Sequence, residues 1–268
     1  DAIGKPDYTN ASSNWNLTGK DQYALDVHYG ISQAYQYFFT KFNRNSIDNK
    51  GYPLISYVNI SVQNNAFWDP LTSTMSFGTL SNGAGIVGID AVSHELTHGL
   101  TQYTSNLIYK YESGAINESM SDIFGKCVQF WSKPNDINWV ISNDIGWNIR
   151  NMANPKQFGD PNCYKGIYWY KECNDVGGVH TNSGVGNFFF YLLVNGGSGT
   201  NDLGKTYNVS GIGLDRAAAI IYRSETVYLV STSNYFNWRN ACISAATDLY
   251  GANSNEVTQV KRAWAAVG

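Results

Sequence analysis

Gly88-Ile89-Asp90-Ala91-Val92-Ser93-His94-Glu95-Leu96-Thr97-His98-Gly99-Leu100-Thr101-Gln102-Tyr103 reads as a helix from Ile89 to Tyr103 that carries a metal-binding pair. His94 and His98 stand four apart, so their imidazoles share one helical face, one turn from each other. Two imidazoles so placed can bind one Zn²⁺, with the intervening Glu95 reaching a water beside the metal. The plainer alternative is two core histidines and a solvated glutamate. Against it, the chain has only 4 histidines and half of them form this pair. The pair also sits in an apolar run of Ile89, Ala91, Val92, Leu96 and Leu100.

A second helix follows, from about Ser113 to Ser132, with Gly114-Ala115-Ile116-Asn117-Glu118-Ser119-Met120-Ser121-Asp122-Ile123-Phe124-Gly125 at its heart. Glu118 and Asp122 share a face at i and i+4. A catalytic zinc takes three protein ligands and keeps one position open, and Glu118 suits the third. Asp122 can accept from the far nitrogen of one ligand imidazole, and Asn117 from the other. An ordinary wet helix face is the alternative, weakened by the apolar neighbours Ile116, Met120, Ile123 and Phe124.

Working outward, residues 22–43 repeat apolar side chains at three and four, which predicts a helix. Residues 54–62 alternate as a strand, 64–68 read as an extended or edge segment, and Met75–Phe77 as another short strand. The Gly-rich run 82–88 reads as a loop, residues 1–20 as irregular, and the Asn/Gly/Pro-rich span 133–185 as loops. Further helices are expected at 184–195, 213–229, 234–250 and 254–266, the last with Ser254 as N-cap. The pattern predicts an α+β chain of two lobes. A small mixed α/β lobe covers 1–107 and a mainly helical lobe 108–268, with the helix of His94 and His98 between them.

The chain has 268 residues, 43% of them hydrophobic and 15% charged, with a net charge of −3. No basic footprint for nucleic acid or for a membrane surface is present. No apolar run is long enough to span a bilayer. The start at Asp1 fits either a trimmed chain or a mature form freed from a precursor. Sequons at Asn10, Asn16, Asn59, Asn117 and Asn208 favour export, although Asn117 lies in the second helix. Among the 4 cysteines, Cys163 and Cys173 are close enough to staple a loop. Cys127 and Cys242 either pair across the fold or stay as buried thiols.

Several separated stretches, in order, resemble the thermolysin-like neutral zinc metallopeptidases. They are Asn64–Trp68, Gly88–His98, Tyr103–Tyr109, Glu112–Gly125, Gly159–Pro161, Gly177–Gly184 and Ala246–Gly251, and together they extend over nearly the whole chain. The resemblance implies an endopeptidase acting on polypeptides. A monomer is the default expectation, and the sequons and the start at Asp1 add the expectation of a secreted protein made with a removed propeptide. The resemblance also implies His180 as the transition-state histidine, Asp175 as its orienting carboxylate and Tyr109 as the assisting phenol. It further implies Arg150 as a guanidinium that holds substrate backbone. Asn65, Ala66, Phe67 and Trp68 become the edge strand that aligns the peptide. Ala91 and Ile149 become pocket walls for a bulky apolar residue after the cut.

Two departures stand out. The resemblance begins well inside the family's N-terminal lobe, so a small lobe and an open cleft are expected. The family binds several Ca²⁺ ions; here Asp90 is kept at one such position, but Gln129 stands where a bridging glutamate is usual. Few or no calcium sites are therefore expected, with disulfides substituting. A zinc aminopeptidase also carries the His-Glu-x-x-His pattern and a distal glutamate, but needs acids to hold a free amine, and none cluster near 64–68. A non-enzymatic relative with structural zinc has no use for Glu95.

Overall fold

The computed structural model describes residues 20–268. The irregular reading of the first residues and the sequons at Asn10 and Asn16 lie outside the described residues. α1 (Lys20–Phe42) buries Val27, Ala34, Tyr37 and Phe38, the face set by its apolar spacing. β1 (Ile55–Gln63), β2 (Ala66–Asp69) and β3 (Thr74–Thr79) form one sheet in the order β1-β3-β2. β1 runs parallel to β3 and β2 antiparallel to it. β2 is thus an edge strand, one side of its main chain being unpaired among the described strands.

α2 (Ile89–Gln102) passes through the middle of the molecule, buried on nearly every side. α3 (Tyr111–Ser132) packs against it. Their closest approach needs Gly125, where a Cβ would come within 2.7 Å of the Asp90 carbonyl oxygen. Ile116, Met120, Ile123 and Phe124 of α3 are 0% exposed. Each such side chain contributes about 1.5–3 kcal/mol on burial. The two site-bearing helices are therefore firmly anchored in the core.

The span expected to be all loop contains several small regular pieces, among them short 3-10 helices at Asn143–Ile145 and Pro155–Phe158. β4 (Val140–Ile141) pairs with β5 (Arg150–Asn151), and α4 (Asp175–Asn182) follows. α5 (Gly184–Asn195) then leads into a hairpin of β6 (Gly196–Thr200) and β7 (Thr206–Ser210) that the glycine-rich sequence did not announce. α6 (Leu214–Arg223) ends sooner than the expected 229, because the backbone widens into a π-turn at Ser224–Tyr228. α7 (Tyr235–Tyr250) opens with an Asn234/Asn237 capping box. α8 (Asn255–Ala266) has Ser254 as its cap, accepting from Val257 N at 3.2 Å. Phe189 stacks on Trp264 at 4.1 Å, and Trp238 meets Trp264 edge-on at 5.2 Å, which centres the helical lobe. A small mixed α/β lobe and a helical lobe are thus both present.

The expected Cys163–Cys173 staple is not formed, and all four cysteines are thiols. Cys163 is buried beside the residues that follow α8, where Tyr164 N donates to Val267 O at 2.6 Å, whereas Cys173 is exposed. Cys127 faces Tyr37 of α1, and Cys242 faces Ser224 and Trp264, so the two have different neighbours. Burial pushes both of these thiols up to about 12, so they act as small core residues.

Candidate active site

α2 and α3 bring His94, His98 and Glu118 together. The ligand atoms of these three side chains all lie within 4.8 Å of one another. His94 Nε2 and His98 Nε2 are 3.1 Å apart. His94 Nε2 lies 3.5 Å from Glu118 Oε2, and His98 Nε2 3.4 Å from Glu118 Oε1. The opposite nitrogens are committed: His94 Nδ1 to Asp122 Oδ1 at 2.9 Å, and His98 Nδ1 to Asn117 Oδ1 at 2.7 Å. Ser121 Oγ, which the sequence reading passed over, adds a contact to His98 Nδ1 at 3.1 Å.

This donor set fits a metal cation on three observations. With each Nδ1–H donating outward, two Nε2 lone pairs face each other at hydrogen-bond distance, and only a positive charge between them relieves the repulsion. Glu118 Oε2 is buried without a hydrogen-bond partner. Burial opposes charge on His94, yet the carboxylates of Asp122 and Glu118 outweigh it and lift the imidazole to about 10. The cage therefore attracts a cation. Two imidazoles and one carboxylate are a set that zinc favours.

Asp122 is the hub behind the cage. Arg150 donates to it twice, Nε to Oδ2 at 2.7 Å and Nη2 to Oδ1 at 2.6 Å. Asn187 Nδ2 donates to Oδ2 at 2.7 Å, a partner that only the fold reveals. Burial works against the Asp122 charge, but Arg150 and His94 hold its pKa well below the carboxylate range. Arg150 is thus fixed by the same carboxylate that holds the His94 ring.

Glu95 is buried beside the cage, and burial raises its pKa against the opposing pull of the His94 and His98 imidazoles. Across the cleft, Tyr109 donates a short hydrogen bond to Glu118 Oε1. His180 Nε2 lies 3.1 Å from the Tyr109 hydroxyl, and His180 Nδ1 lies 2.5 Å from Asp175 Oδ1. His180 N also donates to Asp175 Oδ2 at 3.0 Å, so one carboxylate holds ring and backbone together.

The segment before His180 is bent unusually. Asp175 and Val176 both have φ of 51°, followed by Gly177 at 92° and Gly178 at 78°. Glycine accepts this left-handed turn freely, but a β-branched valine does not. Val176 is also exposed, so no packing offsets the strain. Val176→Asn is expected to raise stability by about 1 kcal/mol, read as a higher melting temperature with unchanged activity. A lower melting temperature would show that the valine side chain is needed.

Two cavities meet at this centre. One, of about 630 Å³, is lined by Asn65–Trp68, His98, Leu107, Tyr109 and His180 among others. The other, of about 270 Å³, is bounded by Ala91, Ile149 and Arg150, and by Ile86, Ile141 and Trp147. The last three escaped the sequence reading, since they lie in irregular segments without periodicity. Trp68 is held by its Nε1 donating to Gln102 Oε1 at 2.7 Å, which ties the edge strand to α2. Of the site residues expected from the sequence, Asp122 and Asp175 line neither cavity and reach the centre only through His94 and His180, whereas the others line one cavity or both.

Residues 2–102 match the family model for the thermolysin metallopeptidase catalytic domain, and residues 105–268 that for its alpha-helical domain. The chain belongs to the thermolysin metallopeptidase family. Bacillolysin of Bacillus cereus is 44% identical over 261 residues, covering 92% of this chain and 44% of that protein. Thermolysin of Alicyclobacillus acidocaldarius subsp. acidocaldarius is 42% identical over 259 residues, covering 92% and 45%. The chain thus spans less than half the length of these curated relatives. Among solved structures, the precursor of protealysin, a metalloproteinase from Serratia proteamaculans, superposes with a TM-score of 0.77 at 26% identity. That match covers 94% of this chain and 80% of the other. In this thermolysin-family chain, the left-handed turn at 175–178 and the bonds of Arg150 and Asn187 to Asp122 are features that spacing alone does not convey.

Proposed function

We propose that this chain is a zinc-dependent endopeptidase that hydrolyses internal peptide bonds of polypeptides. It favours a bulky apolar residue just after the cut, works as a monomer outside the cell, and is made with a propeptide that is later removed. The observation that carries the reading is the convergence of His94, His98 and Glu118 with Glu95, Tyr109 and His180 on one cavity, which we read as the cleft between lobes 1–107 and 108–268. Membership in a metallopeptidase family supports it, as does the relative solved as a precursor. No helix among the described residues is long and apolar enough to cross a membrane.

Zn²⁺ held by His94, His98 and Glu118 supplies Lewis acidity, which acidifies water and polarises a carbonyl. The side chains of this protein do the rest. The substrate lies along the open edge of β2, extending the sheet through main-chain hydrogen bonds. Arg150, with Nε and Nη2 fixed by Asp122, has Nη1 left to hold a substrate carbonyl. Glu95 takes a proton from the attacking water and passes it to the leaving amine nitrogen; its raised pKa makes it a competent base. His180 Nε2 and the Tyr109 hydroxyl, 3.1 Å apart, flank the oxygen on which negative charge develops. The cavity of about 270 Å³ with Ala91, Ile141, Trp147 and Ile149 accepts the apolar side chain.

His180→Ala is expected to lower kcat by roughly 10²–10³-fold, since it removes a donor to the developing oxyanion, with a milder effect on KM. A change in KM alone contradicts that role. The proposal itself is tested on a peptide blocked at both ends. Internal cleavage before bulky apolar residues, abolished by 1,10-phenanthroline, is the expected result. Cleavage of free-amine peptides only would make it an aminopeptidase, and no cleavage of either a binding module.

A further inference from the structure

Lys126 lies on α3 one turn beyond Asp122 and is 0% exposed. Lysine is almost never buried so completely without a dedicated partner. Its Nζ donates to Asp90 Oδ2 at 2.8 Å and to Gln129 Oε1 at 2.7 Å. Asp90 is 1% exposed and occupies the first turn of α2, one turn ahead of His94. The same Oδ2 accepts from Ser142 N at 2.8 Å, and Oδ1 from Ala91 N at 2.8 Å. Ser142 opens the loop that ends in Trp147, Ile149 and Arg150, the wall of the smaller cavity.

A second carboxylate leans on the same spot. Asp144 Oδ2 accepts from Ile89 N at 3.4 Å and from Lys133 Nζ at 3.3 Å. A Cβ on Gly88 would meet Asp144 Oδ1 at 2.4 Å and Asp90 Oδ1 at 3.2 Å, so the two acids converge on that glycine. Burial and the neighbouring Asp90 charge raise the pKa of Asp144. Two acids and an amide oxygen thus meet where α2, α3 and the 142–150 loop join, and a positive charge is needed there.

We propose that the Lys126 ammonium is a built-in cation that positions the active-site helix: it neutralises Asp90 and clamps α2, α3 and the pocket loop without a free divalent ion. Lys126 is a positioning residue, acting on His94 and Glu95 through the first turn of α2. In the same way it acts on the pocket wall through Ser142. The disulfides expected in place of calcium are not needed on this account.

Thermal melting tests this independently of the proposed activity. The wild-type protein, with its zinc content checked, is expected to melt at the same temperature in EGTA and in excess Ca²⁺. Lys126→Met leaves the Asp90 charge buried and alone, and is expected to lower the melting temperature by on the order of 10 °C. Lys126→Met with Asp90→Asn removes both charges and is expected to recover at least half of that loss. Where Lys126→Met folds, KM for a peptide with a bulky residue after the cut rises more than kcat falls. A wild-type melting temperature that drops by many degrees in EGTA overturns the proposal, because a bound divalent ion then holds the junction. A Lys126→Met protein as stable as wild type, or a double variant no better than the single, also overturns it.

Discussion

Glu95→Gln is expected to keep the metal and lose roughly 10²–10⁴-fold in kcat, the contribution of a well-placed general base. The substitution keeps the shape of a side chain that is buried beside the cage and removes its ability to take a proton. It touches none of the three converging ligands, so zinc stoichiometry should match wild type. KM should move little, because the edge strand and Arg150 still hold the peptide. Measuring kcat on a blocked peptide alongside metal content separates the two effects. Near-normal turnover in a fully metallated Glu95→Gln protein removes Glu95 from the chemistry.

Asp122→Ala carries the second large effect, and it falls on stability and metal retention together. Asp122 accepts from His94, twice from Arg150 and once from Asn187. Deleting it leaves the Arg150 guanidinium, only 11% exposed, without its partner. An unpaired buried charge costs about 3–5 kcal/mol, or roughly 10 °C in melting temperature for a chain of this size. The freed His94 ring also loses its orienting acceptor, which lowers metal affinity by about 10–100-fold. Competition with a chromophoric chelator and a melting curve read the two consequences separately. Asp122→Asn keeps the shape but drops the charge, and is expected to fall between wild type and Asp122→Ala. Wild-type affinity and stability in Asp122→Ala would mean that the hub holds nothing.

The cage was legible in the sequence because helices repeat. His94 and His98 at i and i+4, then Glu118 and Asp122 at i and i+4, needed only α2 and α3 to pack together. The apolar faces of both helices already implied that packing. The edge strand is legible from its place beside alternating segments, although the sequence suggests 64–68 and the strand runs from Ala66 to Asp69. His180, Asp175 and Tyr109 were not legible from spacing. They come from a left-handed turn and a connecting loop, which have no period, and only resemblance to a family singled them out. The same holds for Ile86, Ile141 and Trp147, whose shared pocket depends on how a loop and a two-residue ribbon return to α2. The disulfide reading failed because nearness along the chain says nothing about which side of the loop each sulfur faces. Cys163 turns inward and Cys173 outward.

The central claim is that two imidazoles and one carboxylate meet on a single metal ion that keeps a place for solvent. X-ray absorption at the zinc edge of the purified protein tests it most directly. The account predicts one zinc per chain with two histidine nitrogens at about 2.0–2.1 Å, the remaining neighbours being oxygens from a carboxylate and water. A sulfur neighbour, a shell closed by four protein ligands, or protein that binds no zinc would contradict it.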